Sequence, residues 1–177
     1  MNFPTILTIF RILLVAPLMI TVFIDETPAK ITALVIFIIA SLTDFIDGRL
    51  ARKNKQVTDL GTFLDPLADK MLINLTFLVL VVLNLMPVWM FGMILIRDFA
   101  VDGMRMMAGT KNIVIPANIF GKLKTTVQMI TVILILLNRI LNLEPLTITN
   151  IVLLYIVVFL TILSGIIYLV KGRKLLK

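Results

Sequence analysis

Long, unbroken apolar runs are the feature that most limits how this chain can fold. Of its 177 residues, 60% are hydrophobic, compared with about 45–50% in an average soluble domain. A helix needs about 20 mostly apolar residues to cross a bilayer. The runs are continuous and do not alternate, which favours helices over barrel strands. We therefore predict an all-α integral membrane protein, with residues 1–177 forming one domain and one six-helix transmembrane bundle. The predicted spans are about 5–24, 30–51, 60–84, 86–108, 119–141 and 147–170.

The placement of positive charge predicts an orientation. The formal net charge is +7, and Lys and Arg concentrate at 49–55, 105–124 and 171–177. The intervening turns carry few charges. Because cytoplasmic loops hold the excess of Lys and Arg, we expect both termini and these segments in the cytoplasm of a bacterium, with the chain spanning its plasma membrane several times. We expect the basic excess to face anionic membrane lipids. No aromatic-interleaved basic tract suggests a nucleic-acid partner.

The residue types that are missing exclude several chemistries. The chain has no histidine and no cysteine. Histidine is the commonest general base, so acid–base work falls to Asp, Glu, Lys or Tyr. Neither of the two serines, Ser41 and Ser164, has an evident base beside it in the sequence. A covalent serine or cysteine intermediate is therefore not expected.

Four aspartates stand out against this apolar background: Asp44, Asp47, Asp65 and Asp69. Steps of three and four residues keep side chains on one face of a helix. Spans two and three are joined by a short basic loop, so their aspartate-bearing ends are predicted to lie side by side. Four close carboxylates need a counter-charge, and hard divalent cations with oxygen ligands supply it. The alternatives are solvated charges at helix ends, or ion pairs with Lys70 and Arg52.

Small residues accompany the aspartates at helical spacing. Gly48 follows Asp44 by four residues, and Gly61 precedes Asp65 by four. A glycine lets a ligand approach the backbone, and small residues also allow close packing of membrane helices. Spacing alone leaves both interpretations open, and the same holds for Ala51. Arg52 is either a phosphate ligand or a positive charge at the membrane surface.

Together these residues resemble a known two-part signature. The pattern reads Asp44-x-x-Asp47-Gly48-x-x-Ala51-Arg52, then eight residues, then Gly61-x-x-x-Asp65-x-x-x-Asp69. It resembles the signature of the CDP-alcohol phosphotransferase family at every fixed position. The stretches 63–70, 2–4, 8–11 and 121–125 are most similar to the members that use glycerol 3-phosphate.

The resemblance implies an enzyme of phospholipid biosynthesis with a cytoplasmic active site. It would transfer a phosphatidyl group from CDP-diacylglycerol to sn-glycerol 3-phosphate, giving phosphatidylglycerophosphate and CMP. Asp44, Asp47 and Asp65 would hold two Mg²⁺ or Mn²⁺ ions, while Asp69 would be the general base and a further metal ligand. The donor nucleotide would be bound by Asp44, Gly48, Ala51, Arg52 and Gly61. The resemblance also implies a homodimer.

A phosphorylated acceptor calls for a basic pocket. The candidates are Arg97, Arg105, Lys122 and Lys124, with Arg11 as a weaker one. Arg97 and Arg105 lie about two helical turns apart on nearly one face. Arg97 could instead pair with Asp98 or Asp102, and the two lysines could be ordinary positive charges between spans four and five. We expect a cytoplasmic loop over about 106–120.

Two other functions remain open from the sequence. The same chemistry could use another acceptor, such as inositol phosphate, serine or phosphatidylglycerol. A protein of a different class, a cation transporter, could use the aspartates as an ion path. The clustering of the aspartates at one side of the membrane argues against that path, and the basic cluster favours a phosphorylated acceptor.

Overall fold

In the part of the chain that the structure describes, the secondary structure consists of six α-helices, which confirms the all-α prediction. The computed structural model describes residues 3–54, 59–111 and 118–176. Within these ranges the side chains of residues 3, 4, 44–54, 59–63, 65, 171 and 173–176 lie outside the description. The helices are α1 (Phe3–Phe23), α2 (Thr27–Asn54), α3 (Asp59–Val82), α4 (Val88–Thr110), α5 (Ile119–Leu141) and α6 (Glu144–Leu176).

The distribution of side chains fits a lipid environment. Large apolar side chains such as Leu13, Phe99 and Phe159 are exposed, whereas Arg11, Lys124 and Gln128 are buried. In the described part of the chain, three stretches are long and apolar enough to cross a membrane: Thr5–Phe23, Ile119–Leu141 and Glu144–Val170. Thr27–Thr43 is a shorter apolar helix. These helices indicate a membrane protein.

All six helices contribute residues to the hydrophobic core. Leu18, Phe77, Leu80, Ile94 and Leu136 are almost completely buried there. Buried hydroxyls among the helices are satisfied locally: Thr131 donates to Val127 O at 2.7 Å and Thr161 to Val157 O at 2.7 Å. Helix interiors can therefore carry polar side chains without leaving a donor unpaired.

Tight turns join the helices at the end away from the aspartates. Asn84 and Asn142 adopt left-handed backbone conformations, with φ of 58° and 53°, which asparagine tolerates better than most residues. At the same end, Arg139 Nη1 donates to Val22 O at 2.6 Å. Asp25 pairs with Lys30 at 2.8 Å. The hydrogen bond and charge of Lys30, with the charge of Arg139, lower the pKa of Asp25.

One boundary prediction was partly wrong. We expected a loop over 106–120, but α4 continues to Thr110 and α5 begins at Ile119. Asn118 caps α5, with its Oδ1 accepting from Phe120 N at 3.2 Å. The glycine at 109 does not end the helix, and α4 has a buried residue as far along as Ala108. Lys122 and Lys124 consequently stand on the first turns of a helix.

Candidate active site

A polar cavity of about 240 Å³ opens between α3, α4, α5 and α6. It lies toward the aspartate-bearing end of α3. Its lining comprises Pro66, Asp69, Lys70, Ile73, Asn74, Arg97, Asp98, Val101, Asp102, Arg105, Asn118, Gly121, Lys122, Lys124, Thr125, Gln128 and Tyr168. The five Lys and Arg side chains exceed the three carboxylates by two positive charges, so the cavity favours an anion.

Asp98 organises two of the cations. Its Oδ1 accepts from Lys124 Nζ at 2.5 Å and from Arg97 Nη1 at 3.0 Å. The Lys124 side chain is only 3% exposed. A buried ammonium needs such a partner, because an unpaired charge in a low-dielectric interior is strongly unfavourable. Lys124 is therefore a built part of the cavity and not a solvated loop charge.

The remaining cations have different surroundings. Lys70 pairs with Asp102. Arg105 donates from Nε to Tyr168 Oη at 2.7 Å, and its guanidinium carbon lies 5.2 Å from the centre of the same ring. Lys122 is exposed and has no side-chain partner among the described residues. Its charge is thus available at the surface of the cavity.

Several buried polar atoms of the lining have no hydrogen-bond partner in the described structure. Three are donors: Arg97 Nε, Asn118 Nδ2 and Gln128 Nε2. One is an acceptor, Asn74 Oδ1. Buried polar groups in folded proteins are nearly always paired, and each unpaired group is unfavourable by about 1–3 kcal/mol. Their concentration around one cavity leaves several donors and one acceptor available to a polar ligand.

Asp69 is held at the edge of this cavity from the opposite side. Arg11 Nη1, on α1, donates to Asp69 Oδ1 at 2.6 Å. The Arg11 side chain is 0% exposed, whereas that of Asp69 is 38% exposed. One face of the carboxylate is thus fixed by a buried cation while the other reaches the cavity. Arg11 itself is not among the residues that line the cavity.

The other predicted site residues are placed only by their backbone. Asp44, Asp47, Gly48, Ala51 and Arg52 lie on α2, and Gly61 and Asp65 lie on α3. Residues 55–58 connect the end of α2 to the start of α3. Measured along the helix axis, each of the four aspartates lies within about 15 Å of the end of its helix that is connected in this way.

Metal binding rests on the same aspartates. The described side chains contain no group of three or more His, Cys, Asp or Glu that could hold a metal ion. The side chains of Asp44, Asp47 and Asp65 lie outside that description, so their predicted cluster with Asp69 stays a prediction. The donor set fits a hard divalent ion, because Asp69 offers a partly exposed carboxylate oxygen and the other three positions are also carboxylates.

The structure brings together the four cations predicted to bind the acceptor: Arg97, Arg105, Lys122 and Lys124. Of the two partners considered for Arg97, it shows Asp98; Asp102 instead pairs with Lys70. Sequence reasoning missed Asn74, Asn118, Gln128 and Tyr168. The only available signal was that a polar residue within an apolar run is usually functional, which applies to Asn74 and Gln128.

The fold and the site define a helical membrane-type protein with a cavity of net positive charge beside an ion pair between buried Arg11 and partly exposed Asp69. Residues 1–163 match the family model described as CDP-alcohol phosphatidyltransferase. The chain belongs to this family, as its signature predicted.

Relatives from several bacteria match along almost the whole chain. The CDP-diacylglycerol–glycerol-3-phosphate 3-phosphatidyltransferase of Bacillus subtilis is 38% identical over 97% of this chain and 91% of its own length. A protein of the same name from Rickettsia bellii is 34% identical, over 98% of this chain and 96% of its own length. A probable phosphatidylglycerophosphate synthase of Mycobacterium tuberculosis is also 34% identical, over 98% of this chain and 82% of its own length.

Proposed function

We propose that this chain transfers a phosphatidyl group from CDP-diacylglycerol to sn-glycerol 3-phosphate, forming phosphatidylglycerophosphate and CMP. The observation that carries the proposal is the polar cavity beside Asp69, with its excess of two positive charges and its buried, unpaired donors. A phosphate supplies the oxygen acceptors that these donors lack, and a hydroxyl supplies a donor for Asn74 Oδ1. The names of the relatives from B. subtilis and R. bellii favour this acceptor over inositol phosphate, serine or phosphatidylglycerol.

Each group of cavity residues has a role in this proposal. Arg97, Arg105, Lys122 and Lys124 bind the acceptor phosphate, with Arg and Lys forming charge-assisted hydrogen bonds to its oxygens. The phosphate is thereby fixed while the acceptor hydroxyl extends toward Asp69. Asp69 takes the proton of that hydroxyl as general base. Arg11, which pairs with Asp69, orients this carboxylate.

In the proposed reaction, one bond forms and one breaks at the pyrophosphate group of the donor. The acceptor oxygen forms a bond to the phosphorus that carries diacylglycerol, and the bond from that phosphorus to the CMP oxygen breaks. CMP leaves with the electron pair of that bond. The family resemblance assigns donor binding to Asp44, Gly48, Ala51, Arg52 and Gly61. Their glycines and alanine leave room beside the backbone for the nucleotide.

Divalent metal ions generally serve this family. We propose that Asp44, Asp47 and Asp65, joined by Asp69, hold two Mg²⁺ or Mn²⁺ ions. When bound, such ions would offset the negative charge of the donor pyrophosphate and of the leaving group.

The same proposal includes the setting of the enzyme. All six helices would cross the plasma membrane of a bacterium as one domain, with both termini and the active site in the cytoplasm, as the positive charges predict. The acyl chains of the donor would then stay in lipid while the soluble acceptor enters from the cytoplasm. The family resemblance adds a homodimer.

Release of CMP by purified protein tests this function. The protein is supplied with CDP-diacylglycerol, Mg²⁺ and one acceptor at a time: glycerol 3-phosphate, glycerol, inositol phosphate, serine or phosphatidylglycerol. We expect CMP with glycerol 3-phosphate alone. The matched control is Asp69→Asn, which should bind CDP-diacylglycerol but release CMP about 10²–10⁴-fold more slowly. CMP release with a different acceptor would replace the proposed substrate, and cation flux without CMP release would replace the enzyme by a transporter.

A further inference from the structure

Two glycines on different helices press against the side chain of Arg97. A Cβ added to Gly165, on α6, would stand 3.1 Å from Arg97 Cγ. A Cβ added to Gly121, in the first turn of α5, would stand 3.3 Å from Arg97 Nη2. Both distances are shorter than ordinary van der Waals contact between carbon or nitrogen atoms. The absence of a side chain at each glycine therefore forms a slot that fits the arginine at its stem and at its tip.

The three glycines of α4 make no such contact. A Cβ added to Gly92, Gly103 or Gly109, all on α4, would meet nothing within 4 Å. Gly103 lies only six residues from Arg97 on the same helix. Of these five glycines, only the two at the slot closely approach a side chain of a neighbouring helix.

Through the slot, the Arg97 side chain extends from an apolar groove to the polar cavity. Arg97 and Gly165 both line an apolar groove between α4 and α6, together with Ala100, Val101 and Ile162. Arg97 and Gly121 both line the polar cavity. The arginine stem therefore crosses between the helices, and its guanidinium is delivered to the cavity, where Asp98 accepts from Nη1 at 3.0 Å.

Stability alone does not explain this placement of Arg97. Its Nε is buried and has no hydrogen-bond partner in the described structure, which is unfavourable for the folded protein. Glycine inside a helix is also less favourable than alanine. Two features that each weaken the fold thus converge on one side chain, as is typical of a functional position.

We infer that Gly165 and Gly121 are positioning residues that set the reach of the Arg97 guanidinium toward the acceptor phosphate. This inference rests on the acceptor-binding role of Arg97 given under Proposed function. A methyl group at position 165 pushes the stem at Cγ, and one at position 121 crowds the tip. Either displacement moves the guanidinium away from its place beside Asp98, and acceptor binding weakens while donor binding does not change.

Steady-state kinetics of Gly165→Ala test the inference. We expect the KM for glycerol 3-phosphate to rise about tenfold, the size expected when one charge-assisted hydrogen bond is lost, with the KM for CDP-diacylglycerol unchanged. Gly121→Ala should shift the same constant in the same direction by less, since its contact is longer and lies at a flexible tip. The matched control is Gly103→Ala, which should leave both constants at wild-type values. An unchanged acceptor KM in Gly165→Ala would overturn the inference.

A double-mutant cycle separates the slot from general helix packing. In an Arg97→Ala background the stem is gone, so Gly165→Ala should not raise the acceptor KM further. An equal rise in both backgrounds would overturn the inference.

Thermal unfolding of the same four proteins distinguishes failure of the slot from failure of the proposed function. Alanine favours the helix over glycine, so Gly165→Ala should raise Tm when Arg97 is absent and lower it when Arg97 is present. If Arg97→Ala leaves the acceptor KM unchanged, the phosphate-binding role of Arg97 is wrong. The change of sign in Tm then supports the slot as a packing device, and the same Tm shift in both backgrounds overturns it.

Discussion

Arg11 and Asp69, separated by 58 positions in the chain, form an ion pair in which Nη1 donates to Oδ1 at 2.6 Å. The arginine is fully buried and the aspartate is partly exposed. The pair fixes α1 against the end of α3 that carries the signature aspartates. The same ion pair holds the carboxylate of Asp69, the proposed general base, in a fixed orientation.

Replacing Arg11 tests this orienting role. Arg11→Ala should lower kcat about 10–100-fold, which is the usual effect of removing a partner that orients a reactive group, with a smaller change in either KM. Arg11→Lys keeps the charge but loses the planar fork, so its kcat should be intermediate. The kcat of each variant is measured at a temperature below its own Tm. A kcat for Arg11→Ala within twofold of wild type would contradict the role.

Lys122 and Lys124 should differ although they stand two residues apart. Lys124 is buried against Asp98 and Lys122 is exposed. Lys124→Met should raise the acceptor KM about tenfold or more, whereas Lys122→Met should raise it about two- to threefold. Because salt screens exposed charges, the Lys122 effect should shrink when KM is measured at high KCl. Equal, salt-independent effects would show that the burial difference has no functional consequence.

We expect Gln128 to contribute to acceptor binding without stabilising the fold. Its Nε2 is buried without a hydrogen-bond partner. Gln128→Leu removes this unpaired donor and replaces the side chain by an apolar one of similar volume. We expect Tm to stay the same or rise while the acceptor KM increases about tenfold. The measurement is thermal unfolding in detergent beside steady-state kinetics. A lower Tm with an unchanged KM would make Gln128 a structural residue.

Acid should loosen the contact at the far end of the bundle. The pKa of Asp25 is lowered by Lys30 and Arg139, so its stabilising contribution is present above the ordinary aspartate pKa of about 3.9. It is lost as the pH falls through the lowered pKa of the folded state. Asp25→Asn should have a slightly lower Tm than wild type at neutral pH, and this difference should vanish in acid. A difference that persists after the pH has fallen below the lowered pKa of Asp25 would contradict this account.

Particular residues show how far the sequence could predict this structure. Six apolar runs predicted six helices because lipid leaves a backbone few other choices. Arg97 and Arg105 were predicted to share a face because helical spacing alone places them together. Tyr168 was missed because its contact with Arg105 spans 63 positions and depends on how α6 packs against α4. No local pattern encodes that packing.

The role of the small residues was equally hidden. Gly121 and Gly165 have no motif of their own that points to Arg97, and only the crossing of three helices brings them to it. The loop predicted over 106–120 was partly wrong, because α4 continues through Gly109 to Thr110 and α5 begins at Ile119. The sequence likewise offered no reason to distinguish Lys122 from Lys124, although Lys124 is buried and Lys122 is exposed.

Formation of labelled phosphatidylglycerophosphate from labelled glycerol 3-phosphate tests the central claim most directly. Purified protein in liposomes with CDP-diacylglycerol is assayed as prepared, after exhaustive chelation, and after Mg²⁺ or Mn²⁺ is returned. We predict lipid-soluble label with the untreated protein, none after chelation, and recovery with the returned ion. Full product formation after exhaustive chelation would contradict a reaction built on carboxylates that gather divalent ions.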